Sequence, residues 1–410
     1  MDFNIEIDLL SSKSENSIIF DIHGDFETGL HKSIVNTLRR TLLSDIQSIG
    51  FRIDMNNKDI HIIQNNTSLH NEFLEHRISL IPLYIDPDNY HKQYLFKLNV
   101  NSNSEDTVKM ITSEHFDIYP LKNDIDIDEL KEQTDIDLSN YDTSSPLSFE
   151  EKKKIFRPFE TKGKHYYCPI TELKSIGENT KQGLELWGVP RISTANENAS
   201  WQAVSLACYS FKRDSDLFKK VLDEKIEIEG IEGIEEKKKY AKSLYLSESE
   251  RYFHRDKNIE PYWYTFKIDS VHFNNSKELF LKSCQIIIDQ IELFKNELPK
   301  ITTEDDSIIS LDVKENIYTL TVFGYNDTIG NILQSYISMN ILEESEFNVC
   351  GYKRTHPLEE IIQFHLSYEY TKDIVNVQQK TNSLIELFIT ACLQLIDIYS
   401  SIKFEADKKL

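Results

Sequence analysis

Residues 67–83 read TSLHNEFLEHRISLIPL, and this stretch indicates the fold more clearly than any other part of the chain. Its apolar residues recur at helical spacing and therefore lie close to one face of a predicted helix: Leu69, Phe73, Leu74, Ile78 and Ile81. Pro82 has no backbone N–H to donate, so we expect it to end the helix and turn the chain outward. Taken alone, the pattern predicts a short amphipathic helix whose polar side faces solvent.

The composition is that of an ordinary soluble protein with room for two or three domains. The 410 residues are 40% hydrophobic and 28% charged. The amino-terminal stretch MDFNIEIDLL is acidic and alternates apolar with polar side chains, which predicts a strand rather than a signal peptide. No apolar run approaches the roughly 20 residues that span a bilayer, so we expect no membrane association. A cytoplasmic location follows as an expectation, with the nucleus as an alternative.

The formal net charge of −22 bears on the choice of partners. Phosphate binding requires clustered Lys and Arg, and a strongly acidic surface opposes it by long-range repulsion. We therefore expect the chain to meet DNA only indirectly, through a larger complex. Local groups of basic residues could still make contacts within such an assembly.

Signals for catalysis, metal ions and cofactors are weak in this sequence. The five cysteines stand far apart without a C-x-x-C pair, which is typical of a reducing compartment and predicts no zinc cluster. His70 and His76 miss the i, i+4 spacing of an H-E-x-x-H metal site, and no Gly-rich phosphate loop is present. We predict no catalytic residue, no metal site and no cofactor.

Changes in composition divide the chain. Residues 121–155 and 214–250 are acidic and polar, and we expect solvated insertions that are partly helical or disordered. Residues 299–311, with a proline, adjacent acids and serines, are predicted to link two folded parts.

On each side of this linker the same order of strand, helix, strand and helix is predicted. The first copy comprises a strand at Ser17–His23, a helix from about Thr28 to Ile49, a strand at Tyr264–Val271 and a helix at Glu278–Leu298. The second comprises a strand at Ile317–Phe323, a helix capped by Asp327, a strand at Ile361–Tyr368 and a helix at Ser383–Phe404.

The first helices of the two copies can be superimposed, because Asn36–Leu42 matches Asn331–Ile337 in pattern. Association of like halves is a common way to bury matched apolar faces. We predict that the halves pair through apolar helix residues: Leu38, Leu42, Leu333, Ile337, Phe388 and Leu395.

These motifs resemble two subunits of multisubunit DNA-directed RNA polymerases. Residues 1–300 are similar to the alpha-like D-type subunit of archaea and the third subunit of polymerase II, through IVNTLRRTLLSDI, TSLHNEFLEHRISLIPL and EPYWYTFKIDSVHF. Residues 312–410 are similar to the L-type partner, the eleventh subunit, through NDTIGNIL and GYKRTHPL. The fused form resembles polymerases of large nucleocytoplasmic DNA viruses, for which a viral factory or virion would be the location.

The resemblance implies an α+β fold, a pseudo-dimer of two strand–helix halves clasped through helices and sheets, with an α+β insert domain in the first half. The implied domains are a discontinuous D-type domain, an insert, a linker and an L-type domain, at residues 1–60 with 259–298, 61–258, 299–311 and 312–410. Many D-type relatives hold a metal or cluster through insert cysteines. The region between Leu83 and Val108 has none, so this insert must rely on core burial.

The function implied by the resemblance is a non-catalytic assembly platform. Its partners would be the largest and second-largest polymerase subunits and the small platform subunits, with one copy of the chain per complex. The alternative is a free-standing acidic scaffold or regulator that keeps the fold without belonging to a polymerase.

Two groups of charged residues are candidates for docking the large subunits. Arg39 and Arg40 stand side by side on a helix, where a planar guanidinium can bind carboxylates or carbonyls in bidentate fashion. A solvated helix face is the alternative for this pair. Glu72, His76 and Arg77 form the second group, and for them the alternative is helix capping with a surface ion pair.

Overall fold

A computed structural model of the chain describes residues 4–27, 29–54, 57–102, 108–122, 136–174, 182–302, 308–368 and 377–410. They divide into two units. The first comprises Met1–Leu43, Leu206–Asp269 and Ser276–Leu410, and the second comprises Ser44–Ser205 and Ser270–Asn275. The fold is α+β with several antiparallel sheets, which confirms the predicted class.

The described residues form eight α-helices: α1 (Lys32–Ser44), α2 (Asn71–Ser79), α3 (Phe149–Ile155), α4 (Ser215–Ile228), α5 (Ile234–Glu248), α6 (Ser276–Glu297), α7 (Asp327–Asn340) and α8 (Val377–Lys409). The first strands are β1 (Glu6–Ser14), β2 (Ser17–His23), β3 (Gln47–Gly50), β4 (Ile53–Asp54), β5 (Asn57–Lys58), β6 (Ile60–Asn65), β7 (Tyr94–Asn101), β8 (Val108–Thr112), β9 (Asp117–Pro120) and β10 (Phe159–Thr161). The later strands are β11 (Lys164–Tyr166), β12 (Pro169–Lys174), β13 (Gly183–Gly188), β14 (Arg191–Thr194), β15 (Val204–Phe211), β16 (Trp263–Ser270), β17 (Ile309–Lys314), β18 (Ile317–Phe323), β19 (Phe347–Arg354) and β20 (Ile361–Tyr368).

The first unit contains two four-stranded sheets with the same strand order. One runs β1-β2-β16-β15 and the other β17-β18-β20-β19. In each, a hairpin is followed by a helix, and a later strand returns to lie antiparallel beside the second hairpin strand. A second helix then follows, α6 for one sheet and α8 for the other. The order of elements predicted on the two sides of the linker is therefore present.

Alternating burial fixes the register of both sheets, because a one-residue slip would expose every apolar side chain. Phe20 lies opposite Phe266 in the first sheet, and Leu320 lies opposite Phe364 in the second. The neighbouring opposed pairs are also buried: Ile22 with Tyr264, Ile18 with Ile268, Val322 with Ile362, and Tyr318 with Leu366.

The second unit is built around the sheet β6-β13-β7-β9, with smaller pairs β12-β8, β14-β3, β10-β11 and β4-β5. Its apolar core includes Phe96, Phe116 and Phe156, whose rings pack edge-to-face or stacked at centroid distances of 5.7–6.1 Å. Leu74 and Ile78 place the apolar side of α2 in the same core.

Several predicted helix limits were wrong. α1 begins at Lys32 and ends at Ser44, and the predicted start, Thr28, lies outside the described residues. Ile49, the predicted end, lies in β3 opposite Ile192, so strand pairing overrides the helical pattern there. α2 ends at Ser79, before Pro82, and Phe73 on its predicted apolar face is 61% exposed.

The helices of the first unit's later part also differ from their predicted limits. α6 begins at Ser276, and α8 is longer at both ends than predicted. The residue that caps α7 is Asn326, whose side chain accepts a hydrogen bond from the N–H of Thr328 at 2.9 Å; Asp327 stands in the first turn. A short polar side chain just ahead of the helix satisfies an otherwise unpaired N–H.

The two acidic segments and the predicted linker differ in how much of each the structure describes. Residues 123–135 and 303–307, within the first acidic segment and the predicted linker, lie outside the described residues. Beyond the first gap the chain is folded, with Tyr141 only 3% exposed. The second acidic segment forms the helix pair α4 and α5, in which the ring of Phe218 packs against that of Tyr245 at 5.8 Å.

The expectation that no apolar segment has the length of a membrane span was wrong for one helix of the described residues. Gln378–Lys409 in α8 is long and apolar enough to cross a bilayer by length and composition, with a mean hydropathy of 1.5 in its most apolar window. In that window 44% of the residues are buried inside the protein, and core helices of soluble proteins have the same composition.

Candidate assembly interface

The long helices α6 and α8 pack against each other in the first unit. Phe294 of α6 and Phe388 of α8 meet edge-to-face with ring centroids 6.0 Å apart. Phe388 also contacts Phe364 of β20 at 5.1 Å. All three side chains are fully buried, so a single aromatic cluster joins α6 to α8 and to β20.

The two sheets carry their helices in the same way. In the first sheet, Phe280 of α6 packs on the opposed pair Phe20 and Phe266 at ring distances of 5.0 and 6.0 Å. In the second sheet, Phe388 of α8 packs on Phe364 at a ring distance of 5.1 Å. The interplanar angles, 66° for Phe266 with Phe280 and 68° for Phe364 with Phe388, are nearly equal. Each of the two sheets is therefore covered by a buried aromatic side chain from the helix that follows it.

Hydrogen bonds connect α1 to the carboxy-terminal part of the chain. The hydroxyl of Tyr399 donates to the backbone carbonyl of Ile34 at 3.1 Å, and the side chain of Tyr399 is fully buried. The Nε of Arg40 donates to the hydroxyl oxygen of Thr328, in the first turn of α7, at 2.9 Å. Neither contact can be inferred from a local pattern, because more than 280 residues separate the partners.

Polar contacts at the surface also join α6 and α8. Lys403 Nζ donates to Gln285 Oε1 at 2.6 Å, and Lys277 Nζ donates to the backbone carbonyl of Asp407 at 2.7 Å. The helices are thus held by an apolar core with hydrogen bonds on its rim, the arrangement found in protein–protein interfaces.

The six residues predicted to pair the halves are all buried in the first unit. Leu38, Leu42, Leu333, Ile337, Phe388 and Leu395 each have less than 6% of their surface exposed. Phe388 contacts the rings of Phe294 and Phe364. The pairing role of the set stays a prediction.

The two arginines predicted to dock partners have different environments. Arg39 is half-buried, and its Nε donates to Asn36 Oδ1 one turn earlier at 3.0 Å. Arg40 is exposed and is held from within the chain by Thr328. The helix therefore presents an oriented guanidinium group at Arg40, and Thr328 is a site residue that the sequence offered no signal to find.

The second predicted docking group lies on α2 in the second unit. Glu72 stands in the first turn of the helix, while His76 and Arg77 stand in the last turn, and all three are exposed. Arg77 donates from Nη2 to the backbone carbonyl of Pro169 at 3.1 Å. An acidic side chain in the first turn and a basic side chain in the last turn both interact favourably with the helix dipole.

A buried ion pair in the second unit escaped the sequence reasoning. Asp59 has a fully buried side chain and binds the guanidinium group of Arg191 through both Nε and Nη2. It also accepts from the N–H of Arg52 at 2.7 Å. Burial raises the pKa of the Asp59 carboxyl, and the hydrogen bonds from Arg191 and Arg52 oppose that rise. A pair that is 132 residues apart leaves no local pattern.

The described residues contain no group of three or more His, Cys, Asp or Glu placed to hold a metal ion. Burial raises the pKa of the thiols of Cys284, Cys350 and Cys392 to about 12, which keeps them protonated at neutral pH. Thiolate chemistry therefore has no support at these three positions.

Known proteins match only part of the chain, and no family model matches it. It is 32% identical over 106 residues to DNA-directed RNA polymerases I and III subunit rpac1 of Dictyostelium discoideum, which is 26% of each protein. It is 32% identical over 132 residues to DNA-directed RNA polymerase subunit Rpo3 of Pyrobaculum neutrophilum, covering 28% of this chain and 47% of that protein. A 33% identity over 86 residues relates it to subunit Rpo3 of Pyrococcus furiosus, covering 21% and 28%. The chain thus spans less than half the length of these relatives, and over about a quarter of its own length it is similar to alpha-like subunits of DNA-directed RNA polymerases.

Proposed function

We propose that this chain is a non-catalytic assembly-platform subunit of a DNA-directed RNA polymerase. The observation that carries the proposal is the repetition of one sheet-and-helix arrangement in the two halves of the first unit. The partial similarity to polymerase subunits rpac1 and Rpo3 supports the same conclusion. A subunit of such an enzyme works in the cytoplasm or the nucleus. If the source is viral, the location is a viral factory or the virion.

In this proposal the repeated halves form an internal pseudo-dimer. Residues 1–60 with 259–298 form the first half, 312–410 the second, 299–311 the link between them and 61–258 the insert. Linking the halves makes their association intramolecular, with an effective concentration up to about millimolar for a short flexible linker. The aromatic cluster of Phe294, Phe364 and Phe388 supplies the apolar contact between them.

The outer surface of α1 is the proposed docking site for the second-largest subunit. Arg40 is exposed and oriented by Thr328, and Arg39 lies next to it. A guanidinium group held in place loses less conformational entropy on binding, which favours its use as an anchor. Glu72, His76 and Arg77 on α2 are a second proposed contact with the large subunits. The small platform subunits complete the assembly, and duplex DNA is met only through the complex.

The test is co-purification of the polymerase through a tagged copy of this chain. We expect wild-type protein to bring down both large subunits at one copy each, measured by native mass spectrometry. The double change Arg39→Glu with Arg40→Glu should abolish this while leaving the thermal unfolding temperature within a few degrees of wild type.

Two control variants separate docking from internal contacts. Thr328→Val removes the acceptor that orients Arg40 but keeps both positive charges, so it should weaken recovery of the large subunits less than the double arginine change does. Lys237→Glu with Lys239→Glu reverses two exposed charges on α5 and should have no effect. Full recovery of the large subunits by the arginine variant would remove α1 as the docking site. Absence of catalytic subunits from wild-type material would favour the free-standing acidic scaffold.

A further inference from the structure

Residues 152–166 form the most basic stretch of this acidic protein. They contain six Lys or Arg side chains and one acidic side chain, Glu160, in a chain of net charge −22. The stretch runs from the end of α3 into a hairpin made of β10 and β11. Two exposed aromatic side chains, Phe159 and Tyr166, stand on either side of Lys162 and Lys164 in the sequence, and the arrangement has no role in the interface described above.

The hairpin has a tight turn that displays its tip to solvent. Thr161 pairs with Lys164, so the loop consists of Lys162 and Gly163 alone. Both have positive φ values, 49° and 73°, as expected for a two-residue turn that matches the twist of the strands. No atom lies within 4 Å of a Cβ built on Gly163, so the tip is open on that side.

The two faces of the hairpin differ in chemistry. Phe159 lies directly opposite Tyr166, and because side chains alternate along a strand, Lys164 shares their face. Phe159 is 72% exposed and Tyr166 is 51% exposed. This aromatic face therefore presents two neighbouring ring surfaces and an ammonium group to solvent.

On the opposite face, the acidic side chain is paired with neighbouring basic side chains. Glu160 pairs with His165 at 2.9 Å and with Lys153 of α3 at 3.6 Å. Lys154 interacts electrostatically with Glu151 of α3, whereas the exposed cations Lys162 and Lys164 have no ion pair within the part of the chain that the structure describes. Glu160 is thus already paired, and the two lysines at the tip remain to attract an anion.

We propose that this hairpin surface, residues 154–166, binds single-stranded nucleic acid. Bases stack on aromatic side chains regardless of sequence, and lysines follow the phosphates between them. Phe159 and Tyr166 offer two adjacent stacking platforms, and the tip lysines lie on the same ribbon. An acidic peptide would satisfy the lysines but would leave both rings in water, so the aromatic pair favours nucleic acid.

The net negative charge of the protein weakens this binding but does not prevent it. At about 0.1 M salt the electrostatic field decays over roughly 10 Å, so the local cations determine the potential at the hairpin. The remaining negative charge slows association by repulsion. Binding should therefore be weak, independent of base sequence and strongly salt-dependent. The inference depends on the hairpin alone and holds whether or not the chain belongs to a polymerase.

The test measures binding of the purified full-length chain to a fluorescein-labelled oligothymidylate of about 12 nucleotides by anisotropy at several salt concentrations. Phe159→Ala with Tyr166→Ala should weaken binding about tenfold or more through lost stacking. Lys162→Glu with Lys164→Glu should also weaken it, and should reduce the slope of log K against log salt by about 1.4. Ultraviolet crosslinking of the wild-type complex should attach the oligonucleotide to the peptide that contains Phe159 and Tyr166.

Matched variants control for exposure and charge. Phe404→Ala removes another aromatic side chain that is 67% exposed, and Lys237→Glu with Lys239→Glu reverses two lysines elsewhere; both should leave binding unchanged. The proposal is overturned by unchanged affinity of the aromatic variant, by no detectable binding at low salt, or by crosslinks confined to other peptides. Competition by polyglutamate as effective as by unlabelled oligonucleotide would assign the surface to acidic proteins instead. Should a hairpin variant unfold, the crosslinking of wild-type protein decides.

Discussion

The hydroxyl group of Tyr399 donates a hydrogen bond to the backbone carbonyl of Ile34 across 365 residues of sequence. Tyr399 is fully buried in α8, and burial raises its pKa well above the ordinary value, while a hydrogen bond with the side chain of Thr37 opposes that rise. The phenol therefore stays protonated and can act as a donor at any physiological pH. It positions the long carboxy-terminal helix against α1, next to the arginines proposed to dock a partner.

Replacing this phenol with a phenyl ring tests its contribution. Tyr399→Phe leaves the ring packing intact but removes the donor, and a lost buried hydrogen bond costs about 1–2 kcal/mol. We expect urea denaturation to show that decrease in the free energy of unfolding. Tyr166→Phe removes an exposed hydroxyl and should change it by less than about 0.5 kcal/mol. Equal effects of the two substitutions would contradict the role given to Tyr399.

The repeated aromatic packing makes a prediction about equivalent positions. Phe280→Ala and Phe388→Ala each remove a fully buried ring from a sheet–helix junction, and each should cost about 3–5 kcal/mol. Because each ring is fully buried between a sheet and the helix that follows it, the two losses should be similar in urea denaturation, and both should lower the same transition. Phe404→Ala, on the exposed side of α8, serves as the control with little effect. Separate transitions for the two variants would show that the halves do not share a cooperative core.

The contact between Arg40 and Thr328 can be measured with a double-mutant cycle. Arg40→Gln and Thr328→Val each remove one side of the hydrogen bond, and the double variant removes both. We expect a coupling energy of about 1 kcal/mol in the free energy of unfolding, since the donor is charged but partly solvated. A coupling energy near zero would mean that α1 and α7 are positioned by apolar packing alone.

His31 predicts a pH dependence of stability. Its pKa is lowered from 6.5, first by burial and then by Lys32, and opposed by the carboxylates of Glu260 and Asp256. Its Nδ1 accepts from the N–H of Ser33 at 3.2 Å, which requires an unprotonated nitrogen. The unfolded chain binds the proton more readily, so stability is lost as pH falls through the ordinary value.

The measurement for His31 is the urea midpoint at about pH 7.5 and about pH 5.5. Wild-type protein should lose stability on acidification, and His31→Gln should lose less across the same interval. His365, whose pKa is also lowered by burial, allows a matched His365→Gln variant that keeps the His31 contribution. An unaltered pH profile in His31→Gln would refute the assignment.

Strands were predicted more accurately than helix ends. Ser17–His23, Ile317–Phe323 and Ile361–Tyr368 have the predicted limits, because alternation of apolar and polar residues is visible within the strand itself. The end of α1 was placed too late because Ile49 continues the helical pattern although it pairs in β3. Phe73 fits the apolar face of α2 and is nevertheless exposed, since spacing describes a face but not what covers it.

The candidate site was predictable in part. Burial of Leu38 and Leu333 follows from their positions on amphipathic helices, and both are inaccessible in the folded chain. Thr328 and Asp59 were not predictable, because each acquires its role only through a partner more than 100 residues away. The hairpin surface was not predicted, because its exposed rings become neighbours only through strand pairing.

Local pattern in the amino-acid sequence was sufficient to predict the repeated order of strands and helices, because side-chain periodicity is set within each element. The α+β class was predicted from the family resemblance. The tertiary structure alone established that Tyr399 reaches Ile34 and that Phe159 stands beside Tyr166 on an open face. Such contacts depend on how elements dock and pair, and docking is determined by the shape of the whole core, which no short segment encodes.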